Sequence, residues 1–420
     1  MRLLIFPALV IVMAFLCMAC APVPNDRMGD EHIAADLCFD EHGRLCALVR
    51  CRQGLSRSGY GHATEQPEYC ILRCGDSDSL DSEVPIGDVV EFGDFQPKFI
   101  DSASGNLIVS GFDKSSLNVA AIRLNSELRS RCVWQNHAPS ELWSACATDD
   151  GSVYIGGHLY EPNADQNAFA ARIDENCDTI FENIWECQDD CSVQGISVVD
   201  DRVAICGHFS NDMHCGQDVL SKGGIDCFAM MLDPIGECRW ICSWGGSSLQ
   251  FPYDIELDAQ GNAFVMGYFT ETIDVDTVTG ARRINSLGGS DAYLIKLNPD
   301  GGIEWLRTWG SDGQDMPWCL EIDSESNVYL AGIVANDCDF TPEDGIAQRY
   351  PQRSFIVRYD GNGTFMNVYG WVESKVAPAI ECSDNGDVYV ACPFGFDDEP
   401  VVETDRITEA NVVSSIHHAL

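Results

Sequence analysis

Short runs of alternating apolar residues, each opened by a glycine or another turn residue and most closed by glycine, recur seven times along the chain. They read Gly43-Arg-Leu-Cys-Ala-Leu-Val, Gly105-Asn-Leu-Ile-Val-Ser-Gly, Gly151-Ser-Val-Tyr-Ile-Gly-Gly, Asp201-Arg-Val-Ala-Ile-Cys-Gly, Gly261-Asn-Ala-Phe-Val-Met-Gly, Ser326-Asn-Val-Tyr-Leu-Ala-Gly and Gly386-Asp-Val-Tyr-Val-Ala-Cys. Length, alternation and the turn residues in front of each phrase mark a β-strand. The step is 46 residues from Gly105 to Gly151 and 65 from Gly261 to Ser326, the spacing of blade-sized repeats.

Each repeat has room for four such strands. Around Gly261, Pro252-Tyr-Asp-Ile-Glu-Leu-Asp alternates, Ala259-Gln-Gly-Asn262 turns, and Ala263-Phe-Val-Met-Gly-Tyr-Phe-Thr follows. After the acidic stretch Ile273-Asp-Val-Asp comes a third phrase from Gly288 to Asn298, and Pro299-Asp-Gly-Gly turns the chain into Ile303-Glu-Trp-Leu-Arg-Thr-Trp-Gly. The turn chemistry predicts antiparallel hairpins, and no segment carries a convincing amphipathic helix. The third and fourth phrases recur as well: Cys227 to Trp240 and Ala292 to Trp305 span the same interval, with looser copies ending at Trp134 and Trp185 and a copy from Ser354 that lacks a tryptophan. These tryptophans are expected to pack between adjacent sheets.

The pattern resembles the SBBP-type β-propeller repeat, best from Gly288 to Trp305 and from Cys319 to Gly332. It is strong over 225–335, recognisable over 97–395 and weak over 30–95. The resemblance implies an all-β, seven-bladed propeller of about four antiparallel strands per blade, occupying residues 32–420. It implies no particular activity, because the family has no shared catalytic residues to carry over. The ends are the uneven part. The first copy would use 32–37, 44–49 and 69–74, and the last 379–381, 387–391 and 411–416. That leaves either a three-stranded final blade or one closed by the N-terminal segment.

Ahead of the repeats, Met1-Arg2 and the apolar run 3–19 form a secretory signal by composition. The sequence Leu16-Cys17-Met18-Ala19-Cys20 resembles a bacterial lipobox, which implies cleavage after Ala19, lipidation of Cys20 and a linker over 20–31. Cys17 and Met18 depart from that pattern, and an uncleaved anchor or plain secretory cleavage are the alternatives. Each delivers the remaining chain outside the cytoplasm. Ala21 after the lipidated cysteine favours the outer membrane of a Gram-negative envelope, and no second apolar run of spanning length follows.

With 25 Lys and Arg against 66 Asp and Glu, the net charge is −41. Acid is spread along the chain, so nucleic acid and anionic head groups are repelled and membrane contact is expected through the lipid anchor alone. Of 21 cysteines, setting aside Cys17 and Cys20 leaves an odd number that an oxidising compartment would mostly pair. Residues four apart in a strand lie about 13 Å apart, so Cys70 with Cys74 and Cys238 with Cys242 need other partners, whereas the turn-like Cys187-Gln-Asp-Asp-Cys191 can close locally.

Signals for chemistry are sparse. His158 and His208 follow Gly157 and Gly207 at equivalent places in successive repeats, which makes them one candidate metal or ligand pair. Asp274 and Asp276, like Asp337 and Asp339, offer oxygen ligands for calcium, although aspartate is also an ordinary turn former. His417-His418 reads as tail. The glycine strings at 245 and 288 lack the helix and basic residue that phosphate binding needs, and Ser210 and Ser247 have no partnered base. No catalytic residue and no resident cofactor is assigned. The expected protein is a monomeric, non-catalytic module at the cell envelope whose loops bind a protein or glycan. The alternative is an enzyme, carbohydrate-active or quinone-dependent, with its site at the central channel.

Overall fold

The computed structural model describes, with short interruptions, residues 35–51, 68–85, 95–371 and 379–391. The signal, Cys20, the linker, His417-His418 and the last predicted strand at 411–416 lie outside the described residues. No helix among the described residues is long and apolar enough to cross a membrane.

Antiparallel meanders follow one another along the chain. Blade 1 comprises Ala35–Phe39, Leu45–Cys51, Glu68–Cys74 and Leu80–Pro85. Blade 2 comprises Phe95–Ala103, Asn106–Asp113, Asn118–Leu124 and Ser130–Gln135, and blade 3 Ser140–Ala147, Val153–Tyr160, Gln166–Ile173 and Thr179–Cys187. Blade 4 is built from Cys191–Val199, Arg202–Ser210, Ile225–Leu232 and Cys238–Trp244. Blade 5 is built from Gln250–Leu257, Ala263–Phe269, Asp291–Leu297 and Ile303–Trp309. Blade 6 uses Met316–Ile322, Val328–Ile333, Ser354–Tyr359 and Phe365–Trp371, and the pair Ala379–Cys382 and Val388–Ala391 begins blade 7.

Each recurring phrase is therefore the second strand of its blade. The first strands lie side by side around the axis, and that of blade 7 touches those of blades 6 and 1, so the ring closes. This is a seven-bladed β-propeller, the all-β architecture that the repeat predicts. Blade 1, where the sequence pattern is faintest, is a complete four-stranded sheet.

The core lies at the seams between blades. Phe169 and Leu142 pack on Ile108 and Val119 between blades 2 and 3, and Tyr293 and Ile295 pack on Cys227 and Ala229 between blades 4 and 5. One outer position links successive blades by the same geometry. Phe181, Trp240 and Trp305 take equivalent registers in the fourth strands of blades 3, 4 and 5, opposite Arg172, Met231 and Lys296. Each lies against a glycine of positive φ in the next blade's last turn: Gly236, Gly301 and Gly363. A Cβ on Gly301 would lie 2.7 Å from the Trp240 ring, which is why glycine stands there. Between blades 2 and 3 the same two positions are Cys132 and Cys177, joined by a disulfide, and Cys177 adopts the same left-handed conformation (φ 66°).

The tryptophan alignment read from the sequence needs correction. Trp185 pairs with Ala168, which makes it equivalent to Trp244 and Trp309, not to Trp240 and Trp305. Trp134 takes a third register; in blade 6 Asn367 stands at the position of Trp240 and Trp305, as the sequence indicates, while Trp371 pairs with Ser354 at the position of Trp244 and Trp309. The intervals agree with this register, because the bulge between third and fourth strands recurs in each blade: Ala168 to Trp185, Cys227 to Trp244, Ala292 to Trp309 and Ser354 to Trp371 each span 17 residues, so matching Trp185 to Trp240 takes the wrong one of two tryptophan positions. Their packing is as expected, with Trp185, Trp244 and Trp309 all buried.

The local Cys187–Cys191 bridge forms as the spacing predicts. Bridging among the described residues is otherwise less extensive than the cysteine count suggests. Cys206, Cys227 and Cys338 are buried thiols whose ionisation burial suppresses, and they serve as small apolar side chains.

Candidate functional site

In an antiparallel meander the turns between strands one and two and between strands three and four share one face of the ring. The other connections share the opposite face. On the first face one device repeats. Asp174, Asp233, Asp258, Asn298, Asp323 and Asp360 each accept, through Oδ1, the backbone N–H groups two and four residues on, at 2.8–3.1 Å. These side chains close tight turns, so part of the chain's acidity is structural.

The opposite face is built differently. In blades 2 to 6 the first strand carries a β-bulge at one equivalent place, between Pro97 and Phe99, Leu142 and Ser144, Val193 and Gly195, Pro252 and Asp254, and Pro317 and Cys319. The extra residues are Lys98, Trp143, Gln194, Tyr253 and Trp318. Each bulge drives the strand's backbone against the second strand, where only glycine fits: a Cβ on Gly157, Gly207, Gly267 or Gly332 would collide with Glu141 O, Ser192 O, Phe251 O or Met316 O. The glycine that closes the recurring phrase is thus the partner of a bulge, and a bulge re-aims the side chain it carries.

These five residues and their neighbours join into one crown at the channel mouth. Lys98 Nζ donates to Leu142 O at 2.8 Å, pairs with Glu141 Oε1 at 3.4 Å and lies 4.2 Å from the centre of the Trp143 ring. Burial lowers the Lys98 pKa, opposed by Glu141. Tyr160 OH donates to Glu141 Oε2 at 2.9 Å. Trp143 Nε1 donates to His158 Nδ1 at 3.1 Å. An indole N–H can only donate, so Nδ1 accepts and Nε2 carries the proton, facing Glu141 Oε2 at 3.9 Å. Further round, Gln194 Nε2 meets His208 Nδ1 at 3.5 Å and His208 stacks on Phe251 with centroids 4.4 Å apart. Phe251, Tyr253, Tyr268 and Trp318 complete an aromatic arc, with Tyr253 and Trp318 stacked at 5.3 Å.

Burial holds the His158 pKa down at about 4, against the pull of Glu141. Burial, reinforced by His158, takes that of His208 to about 3. Both rings are therefore neutral at physiological pH. Ser192, His158 and Glu141 stand in an order that resembles a hydrolytic triad. Ser192 is fully buried, however, its hydroxyl donates to Val193 O at 3.1 Å, and its 3.4 Å approach to His158 Nδ1 competes with the Trp143 indole.

Of the residues singled out from the sequence, His158 and His208 both come to this mouth. Asp274 and Asp276 lie elsewhere, on the outer hairpin Thr272–Thr277 and Gly280–Asn285 of blade 5, where Asp274 pairs with Arg283 at 3.5 Å and Asp276 with Lys222 at 3.4 Å. Among the described residues no group of three or more His, Cys, Asp or Glu converges as a metal site would require. The sequence reading missed Lys98, Glu141, Trp143, Gln194, Tyr253 and Trp318. A signal was present: proline precedes the bulged residue in blades 2, 5 and 6, and proline inside a strand marks a bulge or an edge.

No family model matches the chain, and no curated protein matches its sequence. Among solved structures, hydrazine synthase of Kuenenia stuttgartiensis is similar at 10% identity and TM-score 0.47, over 87% of this chain and 98% of that one. The Dos1 propeller aligns at 8% identity and TM-score 0.47, over 86% and 90%. An α-L-arabinanase of Penicillium chrysogenum, solved with arabinobiose, aligns at 10% identity and TM-score 0.42, over 83% and 98%. The propeller assignment stands on the sheet order and ring closure of the chain itself.

Proposed function

We propose that the protein is a non-catalytic binding module of the SBBP-like propeller type, held at a bacterial envelope by lipid on Cys20, with its ligand site at the bulge-built channel mouth. One observation carries the reading: five successive blades place an extra residue at the same point of the innermost strand, and the five differ chemically. Lys, Trp, Gln, Tyr and Trp on one repeated backbone feature form a varied surface on a rigid frame, the arrangement that recognition requires.

Several features favour binding over turnover. Glu141 is held by Lys98 and Tyr160, and His158 is neutral with Nδ1 occupied. Ser192 is buried and satisfied. A nucleophile needs a free base within reach, and these groups are tied to one another instead. Calcium, if it binds, has no role in this reading.

Capture from envelope extracts tests it, with residues 22–420 as bait and with or without calcium and reductant. The expected result is a ligand retained by the wild type and by Asp276→Asn on the outer hairpin but lost with Trp318→Ala and Tyr253→Ala. Retention that follows the outer hairpin, or release of a chemically altered ligand, contradicts the reading.

A further inference from the structure

The mouth is internally neutralised. Among the described residues that carry the bulges and their partners, the Lys98 ammonium and the Glu141 carboxylate pair with each other at 3.4 Å, and both histidines are uncharged at physiological pH. Within this described group, neither an anionic nor a cationic ligand meets an unpaired opposite charge. The chain's charge of −41 adds a field that repels polyanions over distance.

The mouth also has two chemically distinct halves. On the blade 5 and 6 side, Phe251, Tyr253, Tyr268 and Trp318 present aromatic rings whose centroids lie 5.3–5.9 Å apart, and Phe251, Tyr253 and Trp318 are partly exposed. On the blade 2 to 4 side the surface is hydrogen-bonding, with Lys98, Glu141 and Tyr160 reaching solvent over the buried His158 and Gln194. A ligand that satisfies both halves has an apolar face, a hydroxylated edge and no net charge.

We infer that the mouth binds a neutral saccharide chain, with sugar rings lying on the aromatic arc of Trp318 and Tyr253 and hydroxyls meeting the exposed polar side formed by Glu141 and Tyr160. This deepens the ligand-site reading above and rests on it. The C–H face of a pyranose matches an aromatic ring, while its hydroxyls both donate and accept, which suits the carboxylate of Glu141 beside the hydroxyl of Tyr160. A nucleobase would use the same stacking, but its phosphates would face a strongly acidic protein.

Titration of the full mature chain tests the inference, with tryptophan emission as readout and soluble hexasaccharides of glucose, mannose, xylose and N-acetylglucosamine as neutral probes. Polygalacturonate and a single-stranded oligonucleotide are the charged probes. At least one neutral probe is expected to shift the emission and bind saturably. Its affinity should hold between about 0.1 M and about 1 M salt, over which the screening length falls from about 10 Å to about 3 Å. Trp318→Ala should weaken it about tenfold or more, equivalent to about 1.4 kcal/mol, and Trp318→Phe, which keeps a stacking face, should weaken it less. Thermal melting of both variants separates lost binding from lost folding, and loss of affinity with an unchanged melt supports the inference. Saturable binding only of a charged probe, or of none, overturns the saccharide assignment. The ligand-site reading falls separately, if envelope capture does not depend on Trp318 and Tyr253.

Discussion

The two faces of this ring are built by opposite rules. On the turn face one residue type does one job in blade after blade: an aspartate or asparagine accepts two backbone N–H groups and closes a five-residue turn, as at Asp258, Asp323 and Asp360. On the loop face the backbone device is just as regular, a bulge opposite a glycine, but the side chain it carries changes each time. Repetition of backbone with repetition of side chain builds a scaffold. Repetition of backbone with variation of side chain builds a site.

Breaking the bulge itself should have the largest effect. Gly267 lies against Phe251 O and the Tyr293 ring, so Gly267→Ala forces the first and second strands of blade 5 apart and should destabilise by about 3 kcal/mol in urea unfolding. The seam tryptophan comes next. Trp240→Ala removes a ring from Gly301 and its indole donation to Pro299 O at 2.9 Å, and because the ring is only partly buried the loss should be about 2 kcal/mol. Trp318→Ala, which empties part of the mouth and removes only its stacking on Tyr253 at the rim of the blade 5–6 seam, should cost no more than about 1 kcal/mol while weakening ligand binding about tenfold or more. If Trp318→Ala unfolds the protein as readily as Trp240→Ala, the division between scaffold and site is wrong.

On the turn face, Asp258→Ala leaves two backbone N–H groups without their acceptor and should lower stability by about 1.5 kcal/mol with binding unchanged. Within the channel, burial raises the Asp254 pKa to about 7 from 3.8. A raised carboxylate pKa contributes stability that is present below pH 4 and lost as pH rises through 7. Asp254→Asn, which stays neutral, should therefore gain on the wild type as pH rises across that window. A wild-type minus variant difference that does not change with pH would show that Asp254 ionises normally. The smallest effect belongs to Asp276→Asn, which breaks an exposed ion pair with Lys222 and should change stability by less than about 0.5 kcal/mol.

What could be read from the sequence follows the same division. The seven phrases mark the seven second strands, because a buried strand between two blades needs the same alternation each time. The turns at Ala259-Gln-Gly-Asn262 and Pro299-Asp-Gly-Gly were legible because their chemistry is local. The mouth was largely invisible. A bulge adds one residue and breaks the alternation that identifies strands, and its glycine partner lies a turn away in the chain, so Gly267 reads as an ordinary strand end until Phe251 is placed beside it. His158 and His208 were found because they follow the repeated glycine. Trp143 was missed because its strand lacks the proline that precedes the bulged residue in blades 2, 5 and 6, and Trp318 because the Pro-aromatic pair it shares with Pro252-Tyr253 reads as ordinary strand until the bulge is seen.

Hydrogen exchange, with and without the ligand retained from envelope extracts, tests the division between the two faces most directly. Protection should appear in the first strands of blades 2 to 6, over 95–101, 141–147, 192–197, 251–257 and 316–322, with the aspartate turns at 258–262, 323–327 and 360–364 unchanged. Protection confined to the aspartate turns or to the outer hairpin at 272–285, with the bulged strands unaffected, would contradict it.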